Sequence, residues 1–79
     1  MIKFYDNKGE TADRYGMAVL EANGWDIYAF DNQPNMPDGI NMFGGTITND
    51  PGDEDQVRFS DIPENVQTAM LNRLMPVPF

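Results

Sequence analysis

The chain is 79 residues long, enough for one small domain spanning 1–79 and too short for two. Thirteen acidic residues against five basic ones leave a net charge of −8, which opposes binding to nucleic-acid phosphate. Cysteine and histidine are absent, which removes disulfides, thiolate nucleophiles, histidine-assisted catalysis and the usual zinc sites.

The opening Ile2-Lys3-Phe4-Tyr5 alternates and carries β-branched and aromatic residues, so it reads as an edge strand. Asp6-Asn7-Lys8-Gly9 is turn chemistry. A second strand runs from Tyr15 to Leu20 with Tyr15, Met17 and Val19 on one side, and Trp25 to Phe30 forms a third. Asn23-Gly24 between those apolar runs is a hairpin signal, so the first three strands form an antiparallel meander.

Residues 31–56 carry Pro34, Pro37, Gly39, Gly44, Gly45, Pro51 and Gly52 between short apolar pieces. They read as an irregular loop anchored by Met36 and Phe43, with a mobile tip at 49–55. A last strand follows at Gln56-Val57-Arg58-Phe59. Asp61 precedes Glu64 by three residues, the spacing of a capping box, and Pro63 suits a first helical turn. Ile62, Val66, Ala69, Met70 and Leu74 then recur at helical spacing, which predicts a helix over about 62–75, stopped before Pro76. The expected fold is α+β: a three- to four-stranded antiparallel sheet with one C-terminal helix packed on one face. Its core is expected to hold Ile2, Phe4, Met17, Val19, Trp25, Ile27, Phe59, Val66, Met70 and Leu74. A chain this short buries only about 63% of its surface on folding, so that core is thin.

The charge is uneven along the chain. Residues 1–14 and 58–79 each sum to zero, and the whole excess lies in 15–57. There Glu21, Asp26, Asp31, Asp38, Asp50, Asp53, Glu54 and Asp55 meet no lysine or arginine. Strand alternation places Asp26 and Tyr28 together, away from Trp25 and Ile27, on what would be the open face of the sheet. The expected partner-binding residues are therefore Glu21, Asp26, Tyr28, Asp31, Asp38, Asp53, Glu54 and Asp55, facing a basic protein surface.

Other constellations carry less. Four carboxylates at Asp50, Asp53, Glu54 and Asp55 are of calcium-ligand type, but the alternating order of an EF-hand loop is missing, so no metal or other cofactor is expected. Asp13-Arg14-Tyr15 reads as structural, with Arg14 bonding loop carbonyls or Asp13. A thin core offers few places to desolvate a catalytic carboxylate, so the chain is not expected to be an enzyme. No apolar run approaches 18 residues, and the start lacks a basic stretch followed by an apolar one. Neither a membrane span nor a secreted precursor is expected.

Several short motifs carry a resemblance. Tyr5-Asp6-Asn7 with Gly9, then Thr11 and Asp13-Arg14-Tyr15, is followed by Met36-Pro37-Asp38-Gly39-Ile40 and by Phe59-Ser60-Asp61-Ile62-Pro63-Glu64-Asn65-Val66-Gln67. In these the chain resembles small acidic bacteriophage and prophage proteins of unassigned function. It departs from them at Gln33-Pro34-Asn35 and at Asp38. The resemblance implies a viral origin and residence in the host cytoplasm. Combined with the acidic stretch, it leads to the expectation of an anti-CRISPR or other anti-defence protein that occupies a nucleic-acid channel of a host complex. The alternative is a phage accessory or virion-associated interaction protein with no inhibitory role.

Overall fold

The computed structural model describes residues 1–9, 13–34 and 41–75. Its strands are β1 (Ile2–Asp6), β2 (Tyr15–Glu21), β3 (Gly24–Phe30), β4 (Asn41–Ile47) and β5 (Gln56–Val57). A 3-10 turn (Phe59–Asp61) and one helix, α1 (Glu64–Leu74), follow. The strands form one five-stranded antiparallel sheet in the order β4-β3-β2-β1-β5. The α+β class is as expected, with one strand more than the sequence suggested.

Cross-strand partners share a face, so the register sorts the side chains. Phe4 pairs with Met17, Met17 with Tyr28, and Tyr15 with Phe30. These residues face α1, whose Val66, Ala69 and Met70 recur at helical spacing and are buried against them. Met17, Phe30, Val66 and Met70 are fully enclosed, and Phe4, Val19, Tyr28, Val57, Phe59 and Leu74 pack around them. The opposite face carries Lys3, Tyr5, Gly16, Ala18, Trp25, Ile27 and Ala29.

Trp25 and Ile27 therefore lie on the far side of the sheet from the helix, although the sequence places them in one core with Met17. Trp25 is nonetheless buried, at 5% exposure. Since β4 and β5 sit at opposite edges, residues 48–55 must return across the sheet, and they do so on this helix-free face. Lys3, which that segment holds, has its ammonium 5.5 Å from the centre of the Trp25 ring. The segment and Lys3 together act as a second cover where a helix is lacking.

Other expectations are corrected. The stretch 31–56 is not loop throughout, because β4 lies within it; its register shifts between Ile27 and Tyr28, opposite Gly44 and Gly45. Such a bulge breaks the period-2 signal. Phe43 is exposed, with its ring 5.3 Å from that of Tyr28, so it is not a buried anchor; Met36 lies outside the described residues. The 49–55 tip is tied to the sheet by the Lys3 and Tyr5 bonds described below. β1 is flanked by β2 and β5 instead of lying at the edge. β5 is only two residues long, with Phe59 already in the 3-10 turn. Ile2 is exposed. At the β2–β3 hairpin Gly24 takes the positive φ (132°), and a Cβ there would strike the Ile47 carbonyl.

α1 starts after Pro63, which is its N-cap and offers no side-chain bond. Asp61 instead accepts the Arg58 N–H at 3.2 Å, closing the 3-10 turn. The junction is held by Gln67, whose Nε2 donates to the carbonyls of Phe59 (3.0 Å) and Ile62 (2.8 Å).

Candidate partner-binding surface

The returning segment is fixed by two side chains of β1. Lys3 Nζ donates to Asp50 Oδ1 at 2.8 Å and to Asp53 Oδ1 at 3.0 Å. The Tyr5 hydroxyl donates to the Gly52 carbonyl at 2.7 Å, and the Gly52 N–H donates back to Asp50 Oδ1 at 2.7 Å. The two carboxylates, through their hydrogen bonds, raise the Lys3 ammonium above its ordinary range. Reciprocally, Lys3 and then the Gly52 N–H lower the Asp50 carboxyl. Burial is the main cause that raises the Tyr5 phenol. Gly52 has φ 88° and Asp55 φ 62°, so the chain turns sharply on either side of Asp53 and Glu54.

Among the described residues the expected acids do not make one patch. Asp53, Glu54 and Asp55 are exposed on the segment crossing the helix-free face. Glu21 is exposed at the tip of the β2–β3 hairpin. Asp31 follows the far end of β3 and accepts the Gln33 N–H at 2.8 Å, a local turn bond. Asp38 lies outside the described residues. Asp26 and Tyr28 are on the helix-bearing face, contrary to the open-face expectation. There Asp26 accepts the Thr46 hydroxyl at 2.6 Å. Arg73, from the last turn of α1, lies 5.2 Å from the centre of the Tyr28 ring, and all three residues border one recess with Phe43 and Asn72.

Sequence reasoning also missed two cations. The acidic stretch has no base of its own, yet folding brings Lys3 to Asp50 and Asp53 and sets Arg73 over the Tyr28 ring, in the recess that Asp26 also borders. Neither partner is near in sequence, so only an alternating β1 with Lys3 and Tyr5 on one face hinted at the first. Arg14 departs too from the sequence reading: its Nε and Nη2 donate to the two oxygens of Asp6 at 3.0 and 3.3 Å.

Among the described residues no group of three or more acidic side chains is arranged to hold a metal ion, and no helix is long and apolar enough to cross a membrane. Comparison with protein-family models, with curated proteins and with solved structures finds no match to this chain.

Proposed function

We propose that this is a virus-encoded protein that binds and inhibits a host defence complex of the CRISPR type. It acts in the host cytoplasm by stoichiometric binding, without turnover, on a basic protein surface that otherwise holds nucleic acid. The observation that carries the reading is the returning segment. It presents Asp53, Glu54 and Asp55 on the helix-free face and is anchored by Lys3 and Tyr5. Carboxylates on an anchored backbone lose little conformational entropy on binding, and a net charge of −8 speeds encounter with a cationic surface. Asp26 and Tyr28 are left out of this interface, since they lie on the opposite face of the sheet, Tyr28 under Arg73 and Asp26 bonded to Thr46.

The test is an electrophoretic assay of target-DNA binding by the host's purified CRISPR effector complexes. The protein should abolish binding at a fixed molar ratio. A Glu54→Gln/Asp55→Asn variant should lose that effect, more so at low salt, where exposed charges are less screened. If DNA binding is untouched at every ratio, the inhibitory reading is wrong and the accessory or virion-associated role replaces it.

A further inference from the structure

The helix-free face holds a recess of about 400 Å³ between the returning segment and the sheet. Its floor is made of small residues: Gly16, Ala18 and Ala29, with Ile27 beside them. At Gly16 an added Cβ would already stand 3.5 Å from Tyr5 Cβ, so a larger residue there would fill the space. Tyr5 forms a wall, its ring held in place by the hydroxyl bond to Gly52. Asp13, Glu54 and Asp55 stand at the rim. Arg14 also borders the recess but is engaged in the two-point pair with Asp6, whose carboxyl it holds below the usual range. The charges around the mouth thus sum to negative.

We propose that this recess receives an arginine side chain of the partner protein, an inference that rests on the basic-partner reading above. At about 400 Å³ the recess lies at the small end of the range of ligand pockets, about 300–1,000 Å³, and has ample room for a single long side chain. The floor without large side chains admits a flat group, and the fixed tyrosine ring offers a face to a guanidinium. Glu54 and Asp55 supply carboxylate oxygens at the rim, where charge-assisted hydrogen bonds are strongest for a planar, many-donor cation.

The probe is N-acetyl-arginine methylamide, with its uncharged citrulline counterpart as control, titrated at low salt into the ¹⁵N-labelled protein. Arginine should shift the amide signals of Gly16, Ala18, Ile27 and Ala29, and citrulline should not. Ala29→Phe should remove the response by filling the floor. Glu54→Gln/Asp55→Asn should weaken binding about tenfold while leaving the spectrum of the core unchanged; asparagine tolerates the positive φ at position 55. Equal shifts with citrulline, or shifts confined to the side of Asp26 and Arg73, overturn the proposal. So does full inhibition of the effector by Ala29→Phe, which leaves the inhibitory reading intact. If arginine fills the recess of a protein that never affects an effector, the recess stands and the inhibitory reading falls.

Discussion

Trp25 is where the two-sided architecture is most open to test. If the returning segment covers it, Trp25→Ala should destabilise the fold as a core truncation does, although among the described residues no helix touches that face. A tryptophan hides about 200 Å², and at 5% exposure nearly all of it is out of water. At about 25 cal/mol/Å² this is about 5 kcal/mol as an upper value; the retained methyl and a compact unfolded chain reduce it to about 3–4 kcal/mol. A 79-residue domain has about 4–12 kcal/mol in total, so the variant should lose between about a quarter and all of it. The assay is urea denaturation followed by far-UV circular dichroism, because Trp25 is the sole tryptophan and its fluorescence is lost with it. With a slope of about 1–1.5 kcal/mol/M the midpoint should fall by about 2–4 M. Trp25→Phe should recover most of the loss. A decrease below about 1 kcal/mol would show that the segment leaves the ring at the surface, and the second cover would be refuted.

The elements legible in the sequence are those whose signal is local. Tyr15, Met17 and Val19 alternate without interruption, and Val66, Ala69 and Met70 keep helical spacing, so β2 and α1 are visible directly. β4 is hidden because Gly44-Gly45 interrupts its alternation and its Met42, Phe43 and Ile47 stay exposed, leaving no half-buried pattern to read. The helix start is misplaced by a real but misassigned signal. Asp61 does cap, but it caps the 3-10 turn, because Pro63 holds extended backbone (ψ 145°) and delays the helix to Glu64. Trp25 looks like a partner of Met17 because composition cannot say which face of a sheet receives the helix; only the β2–β3 register separates them. The candidate site was legible as a set of acids but not as a surface. Its geometry depends on Lys3 and Tyr5, nearly fifty residues from the carbonyl and carboxylates they bind, and on a crossing that follows from β4 and β5 occupying opposite edges.

Three further outcomes follow from the same geometry. Gly24→Ala should cost about 1–3 kcal/mol, read as a lower urea midpoint, because the positive φ and the Ile47 carbonyl both exclude a Cβ. Gln67→Leu should cost more than Asp61→Ala, about 1–3 against less than about 1 kcal/mol, since Gln67 bridges two carbonyls at the helix junction while Asp61 closes an exposed turn; equal melting temperatures would return the cap to Asp61. The last outcome is the acid limb of stability. The Arg14 guanidinium, and then the Lys8 N–H, hold the Asp6 carboxyl below its ordinary 3.8, with burial acting in the opposite direction. A depressed carboxyl contributes stability that is present above the ordinary value and is lost as pH falls through the folded one. Asp50, lowered by Lys3, behaves in the same way. Lys3 has the opposite sign: its raised ammonium contributes fully below 10.5 and loses that contribution only as pH rises through its folded value. Stability should therefore be level through neutral pH and fall below about pH 4. Arg14→Leu should lower the melting temperature at pH 7 by the equivalent of up to about 1 kcal/mol, the ceiling for a pair at the surface. Its acid limb should be shallower, because the Asp6 carboxyl no longer binds its proton so much more weakly in the folded state. Thermal melts from pH 7 down to pH 2.5 for wild type and variant measure both effects. Parallel curves over that range would mean that the Asp6–Arg14 pair adds nothing to the fold, and the β1–β2 connection would then be held by its backbone bonds, such as Asn7 N–H to the Arg14 carbonyl at 3.0 Å.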